Sequence, residues 1–176
     1  MNWTEFNIHG KVYCCRHLAP SVLTVPADID DTVTNVTLRV TYSNHCFTDE
    51  KEFGPRLFRE KRGRYWSHER YEASKDLPGI LAKALMDNHY CVPHRSGENE
   101  QYHYIEAGEY AIFFNINKPD GTTNELKVKI ASAYPLEEWG KAMVPKGSPH
   151  KLHFVMQQKL KGLSVLSTEP KWRQRR

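Results

Sequence analysis

The strongest constraint on this chain is a period of two that recurs far apart in the sequence. Between Val33 and Tyr42, Val36, Leu38 and Val40 alternate with Thr37, Arg39 and Thr41; between Glu125 and Tyr134, Leu126, Val128, Ile130 and Ser132 fall on one side. Successive side chains of a strand point to opposite faces, so both stretches read as strands with one face buried. Lys11–Leu18, Gln101–Glu106 and Glu109–Asn117 read as further strands, the last two joined through Ala107-Gly108 in a hairpin-like spacing. Leu152–Gln157 reads as the last strand.

Between these strands the sequence is punctuated. Pro20, Pro26 and the run Asp28-Ile29-Asp30-Asp31 mark a loop, and Pro119-Asp120-Gly121 marks a turn in which proline presets φ and glycine accepts positive φ. One helix stands out, Leu77–Asn88. Ser74 or Asp76 can cap it, Pro78 is tolerated in its first turn, and Ile80, Leu81, Ala84 and Leu85 form its apolar stripe. The expectation is an α+β fold, an antiparallel sheet of about five or six strands with one main helix packed on one face.

Length and charge fit a single domain. The chain has 176 residues, with 39% hydrophobic and 26% charged, an ordinary globular composition with enough chain to bury a core. Residues 1–167 read as one α+β domain and 168–176 as a basic, flexible tail. The opening Met1-Asn2-Trp3-Thr4-Glu5-Phe6 has neither a basic nor an apolar region of a signal peptide, and no apolar run approaches the ~18 residues that span a bilayer. With Cys14, Cys15, Cys46 and Cys91 in no repeating spacing, this favours reduced thiols in a cytoplasm and no membrane partner.

Charge is unevenly spread. Residues 159–176 carry Lys159, Lys161, Lys171, Arg173, Arg175 and Arg176 against Glu169, and a second run holds Arg56, Arg59, Lys61, Arg62 and Arg64 against Glu60. Such runs neutralise phosphates or serve as a solvated face. Residues 49–66 hold Gly54, Pro55 and Gly63 among these charges and read as a surface excursion, mobile at Lys61–Arg64, that leaves the strand end beside His45. Phe53, Leu57 and Phe58 can pin its middle to the core as a short helix.

Three constellations carry chemistry. Cys15, His17, His45, Cys46, Cys91 and His94 are residue types that zinc prefers, but no C-x-x-C pair occurs and the clusters lie on separate elements, so no metal and no cofactor is assigned. A cysteine nucleophile would have to be Cys46, whose neighbour His45 points to the opposite face of a strand. No Walker loop or nucleophile elbow is present. The third set is His45 at a strand end, Arg70 before the helix, and Ser132 and Tyr134 late in the last alternating strand. Attack of an RNA 2′-hydroxyl on its phosphate needs a proton acceptor, a proton donor and a cation, and these residue types supply all three. Arg56, Arg59, Arg62, Arg64 and Tyr71 would bind the nucleic acid, with Tyr65, Trp66, Tyr102 and Tyr104 as further aromatics for stacking.

The segments Tyr42-Ser43-Asn44-His45-Cys46-Phe47-Thr48, Arg70-Tyr71-Glu72-Ala73-Ser74-Lys75-Asp76-Leu77-Pro78-Gly79-Ile80, Tyr110-Ala111-Ile112-Phe113-Phe114 and Ser132-Ala133-Tyr134 resemble a family of small uncharacterised bacterial and mobile-element proteins. Some members carry labels such as stationary-phase growth adaptation protein. The resemblance spans roughly residues 35–135 and implies no activity. The strand ending Ser-Ala-Tyr-Pro is also similar to one in RelE-like and related barnase-type RNase toxins. That similarity implies that Ser132 and Tyr134 face a site, the serine near the scissile phosphate. This chain is longer, is β-rich in its N-terminal half, and shows one helix before the sheet where those toxins have two.

Two readings follow. In the first the chain is a metal-independent, RelE-like endoribonuclease acting on RNA: His45 is acid or base, Arg70 clamps the phosphate, and Ser132 and Tyr134 orient or protonate it. In the second it is a non-enzymatic phage or plasmid accessory protein that binds nucleic acid or inhibits a host protein. A protein partner, whether host factor or antitoxin, fits either.

Overall fold

A computed structural model describes residues 2–96, 100–136 and 148–165. The two alternating stretches form its longest strands, β4 (Thr32–Tyr42) and β11 (Glu125–Pro135). They lie side by side and parallel, from Glu125 opposite Thr37 to Ile130 opposite Tyr42. Arg39 grips Glu125 across this seam through two hydrogen bonds of 2.6 and 3.1 Å.

The remaining pairs are antiparallel. With β3 (Ser21–Ile29), β8 (Tyr90–Ser96), β9 (Glu100–Ala107), β10 (Tyr110–Asn117) and β12 (His150–Lys151), the strands make a seven-stranded sheet in the order β12-β8-β9-β10-β11-β4-β3. The sheet is therefore mixed rather than purely antiparallel. A strand pair joined by a long crossover can run parallel, and here that crossover carries residues 43–124. Among the described residues three helices, not one, pack on the sheet: α1 (His68–Ser74), α2 (Leu77–Met86) and α3 (Leu152–Leu160). Leu81, Ala84 and Leu85 of α2 and Leu152, Val155 and Met156 of α3 join Val36, Leu38, Val40, Phe114, Leu126, Val128 and Ile130 in one core. Each large apolar side chain so buried contributes about 1.5–3 kcal/mol.

Three expectations are corrected. Leu152–Gln157 is helix, because Leu152, Val155, Met156 and Leu160 recur at helical spacing and bury one stripe. The proline- and aspartate-marked stretch is β3, not loop. Pro26 is tolerated because β3 is the outermost strand, and Asp30 and Asp31, at φ 50° and 60°, make a tight hairpin turn into β4. Residues 49–66 contain no helix. Their strands β5 (Thr48–Asp49), β6 (Arg56–Phe58) and β7 (Arg64–Trp66) form a small sheet ordered β5-β7-β6. Leu57 and Phe58 pack on the core as foreseen, whereas Phe53 is 92% exposed.

An aromatic cluster fixes that small sheet to the rest. Trp3, the hairpin of β1 (Glu5–Ile8) and β2 (Lys11–Cys14), Phe47, Phe58, Trp66 and Tyr71 interlock, with Trp3 at 5.2 Å from Phe47 and Trp66 at 5.0 Å from Tyr71. Trp3 also donates its indole N–H to the Tyr42 carbonyl at 2.8 Å. Offset and edge-on aromatic pairs add about 0.5–1.5 kcal/mol beyond their buried area. The cluster thus clamps the point where β4 ends.

Candidate functional site

Where β4 ends, Ser43 turns the chain. Its amide donates to the Ile130 carbonyl at 3.0 Å, and its hydroxyl donates to the Ala131 carbonyl at 2.5 Å while accepting the His45 amide at 3.2 Å. The result is a single 3-10 turn, Asn44–Cys46, pinned to β11. Ala131 lies at an irregularity of β11, between Phe113 opposite Ser132 and Phe114 opposite Ile130. A bulge of this kind re-aims the residues after it, here Ser132 and Tyr134, which share the face of Phe113 and Ala111.

Arg70, from α1, reaches this turn. Its guanidinium lies 4.1 Å above the Tyr134 ring and donates to the carbonyls of Thr48 at 3.0 Å and His45 at 3.3 Å. Of the four residues singled out in the sequence, Arg70 touches the Tyr134 ring and the His45 backbone carbonyl, and the turn that carries His45 is pinned to β11, the strand of Ser132 and Tyr134. Behind them Arg64, 4% exposed, donates to the Thr48 hydroxyl at 3.1 Å and the Thr48 carbonyl at 2.5 Å, with Glu50 at 3.7 Å. Burial, then the neighbouring Arg70 charge, pushes the Arg64 pKa down.

Two residues beside His45 were not singled out as functional by sequence reasoning. Asn44, 8% exposed, donates its amide N–H to Glu60 at 2.6 Å, and His45 Nε2 lies 3.3 Å from the other Glu60 oxygen. The only hint was that Glu60 is the lone acid in a basic run. Burial, then the Arg64 charge, pushes the His45 pKa below 6.5, and Glu60 opposes the shift. His45 is therefore neutral at pH 7. With the Glu60 carboxylate accepting from Nε2, Nδ1 is the basic nitrogen. Burial works against ionisation of Glu60, but the hydrogen bonds from Asn44 and His45 outweigh it and hold the carboxyl below its ordinary range.

The other candidates are spread out. Arg56, Arg59 and Arg62 lie exposed on the small sheet and its turns; Arg62 pairs with Glu50 at 3.3 Å and Arg56 donates to the Phe58 carbonyl at 3.4 Å. Arg64, expected in a mobile stretch, is the buried cation just described. Tyr71 is 7% exposed, its ring packed against Trp66 and Tyr13 and its hydroxyl 3.3 Å from the Cys14 carbonyl. Among the other aromatics, Trp66 and Tyr104 are buried, and Tyr65 donates to Glu52 at 2.6 Å.

Burial pushes the thiols of Cys15, Cys46 and Cys91 up to about 12, so they are protonated at neutral pH and unsuited to nucleophilic work. His17 bonds Ser74 at 2.8 Å instead of joining a cysteine pair. Among the described residues no group of three or more His, Cys, Asp or Glu side chains could hold a metal ion. The side chain of His94 and the tail 168–176 lie outside the described residues. No described helix is long and apolar enough to cross a membrane.

This is an α+β protein with a mixed sheet and a cluster of polar and charged side chains where β4 ends against β11. The chain belongs to the YjaZ family, an uncharacterised bacterial family whose model matches residues 5–161. No curated protein and no solved structure matches it.

Proposed function

We propose that the chain is a metal-independent endoribonuclease that works at the cluster of His45, Arg70, Ser132 and Tyr134. The observation that supports the reading is that Arg70 stacks on Tyr134 and bonds the carbonyl of His45, on a turn pinned to the strand of Ser132 and Tyr134, with a second guanidinium, Arg64, on the neighbouring Thr48. A neutral imidazole suits a general base near pH 7. His45 accepts the proton of the 2′-hydroxyl, whose oxygen attacks the adjacent phosphorus. Arg70 faces the non-bridging oxygens as negative charge gathers on them. The bond from phosphorus to the 5′-oxygen breaks, and the Tyr134 hydroxyl protonates the departing oxygen. The products are a 2′,3′-cyclic phosphate and a free 5′-hydroxyl. Ser132, on the same face of β11 as Tyr134, orients the phosphate, and the exposed Arg56, Arg59 and Arg62 hold flanking phosphates.

The test is incubation of purified protein with total cellular RNA, with and without a chelator. Cleavage that survives the chelator and is abolished in His45→Ala and Arg70→Ala supports the reading. Salt-sensitive binding without cleavage would assign the chain to the non-enzymatic alternative. Neither binding nor cleavage, or cleavage indifferent to His45→Ala, would refute it.

A further inference from the structure

We propose that the Asn44 amide and the His45 ring N–H form an oxyanion subsite for an RNA phosphodiester, and that Glu60 holds this subsite as an internal stand-in for the phosphate. The inference rests on the nuclease reading and deepens it by naming the groups that receive the substrate.

Two neutral donors from adjacent residues converge on the two oxygens of one carboxylate, at 2.6 and 3.3 Å. A phosphodiester presents the same feature, two charged acceptor oxygens on one atom, and hydrogen bonds to such acceptors are the stronger kind. The donors are built in. Asn44 is 8% exposed, and its backbone carbonyl accepts the Thr48 hydroxyl at 2.8 Å, which fixes the turn that carries the side chain. Ser43 holds the start of the turn against β11. The carboxylate is not built in. Glu60 lies between β6 and β7, beside Arg59, Lys61 and Arg62, and its side chain is 45% exposed. A buried amide and a partly buried imidazole facing a more exposed carboxylate is an arrangement in which the acceptor is exchanged.

The charge behind the turn points the same way. Arg64 and Arg70 both direct their guanidinium groups at Thr48, and one carboxylate, Glu50 at 3.7 Å, offsets Arg64. Exchanging Glu60 for a phosphate keeps a negative group in front of these cations. The two ring nitrogens point nearly opposite ways, so the phosphate held at Nε2 is a neighbour of the one that Arg70 faces, and Nδ1 of His45 stays open to accept the proton of the attacking 2′-hydroxyl.

The experiment titrates inorganic phosphate, then a dinucleoside monophosphate lacking the attacking 2′-hydroxyl, into wild-type protein, Glu60→Gln and Glu60→Ala. The side-chain amide of Asn44 and the ring nitrogens of His45 are followed by NMR. Losing a charged competitor with two hydrogen bonds should tighten phosphate binding about tenfold or more in Glu60→Ala, with Glu60→Gln between it and wild type. The shifts should centre on Asn44 and His45, and Asn44→Ala in the Glu60→Ala background should abolish them. The dinucleotide arm separates a phosphodiester site, where it competes with phosphate, from one that takes free phosphate alone. Unchanged or weaker phosphate affinity in both Glu60 variants, or shifts away from Asn44 and His45, would overturn the subsite; weaker binding would mean that Glu60 orients His45 instead. Tightened binding at Asn44 and His45 with no RNA cleaved by any variant would leave the subsite standing and remove the nuclease reading.

Discussion

His103 offers the cleanest quantitative test of the fold. Its side chain, on the core face of β9, is 2% exposed and stacked 5.5 Å from Phe114, and neither ring nitrogen has a hydrogen-bond partner among the described residues. Burial, reinforced by the charges of Lys159 and His150, pushes its pKa down to about 4 from 6.5. Because the folded value is the lower one, the unfolded chain binds the proton more readily. Stability is therefore unaffected by this group above 6.5, falls as pH drops below 6.5, and stops falling near 4. At 1.36 kcal/mol per pKa unit the full span is about 3 kcal/mol, of which about 2 kcal/mol has accrued by about pH 5.0. His103→Leu removes the titration and, at about pH 7.5, adds about 1–3 kcal/mol because no unpaired polar group is buried. Urea unfolding of both proteins at these two pH values checks this. The wild type should lose about 2 kcal/mol more than the variant. Equal losses in the two proteins would show that His103 is not a dry, neutral core residue, and the reasoning would fail.

Other outcomes follow from the same geometry. The kcat/KM of RNA cleavage, which reports the free protein with Glu60 still bonded to His45, should rise with pH through an acidic limb below 6.5, the depressed pKa of His45. Glu60→Gln should move that limb lower still, because Glu60 is what raises the value; a limb unmoved by the substitution would contradict this. Phe53 is 92% exposed, and Lys51, Arg56 and Arg62 in the same segment are exposed too, so Phe53→Ala should weaken single-stranded RNA binding by about 1–3 kcal/mol with little change in melting temperature; unaltered affinity would remove Phe53 from the interface. A Cβ on Gly54 would overlap the Trp66 carbonyl oxygen, so Gly54→Ala should destabilise the protein by about 1–3 kcal/mol in thermal or urea unfolding. A neutral substitution would mean that the β5-β7-β6 sheet can give way.

What could be read from the sequence follows what each stretch buries. The strands β4 and β11 were legible because each has a wet and a dry face along most of its length. The neighbouring β3 was not: Pro26 and three aspartates look like loop unless its place at the sheet edge is known. In α3 the spacing of Leu152, Val155, Met156 and Leu160 was present but sat in a short, weakly contrasted segment, and strand and helix compete for such runs. The parallel pairing of β4 with β11 joins segments separated by some eighty residues, and nothing local encodes it. At the site, His45, Arg70, Ser132 and Tyr134 were legible as chemical types near strand and helix ends. Arg64 and Tyr71 were misplaced because charged and aromatic residues in a polar run are usually solvated, whereas here Thr48 and the aromatic cluster enclose them. Asn44 and Glu60 gain meaning only once the turn between β6 and β7 folds back over His45.

The proposed activity uses an RNA 2′-hydroxyl as nucleophile, and one measurement addresses it directly. An oligoribonucleotide and the same sequence in deoxyribose form are incubated with the protein in the presence of a chelator, and the products are resolved by mass. The account predicts that only the ribose strand is cut, that its fragments end in 2′,3′-cyclic phosphate and begin with a 5′-hydroxyl, and that His45→Ala leaves it intact. Cleavage of the deoxyribose strand, fragments without the cyclic phosphate, or an intact ribose strand at every protein concentration would contradict it.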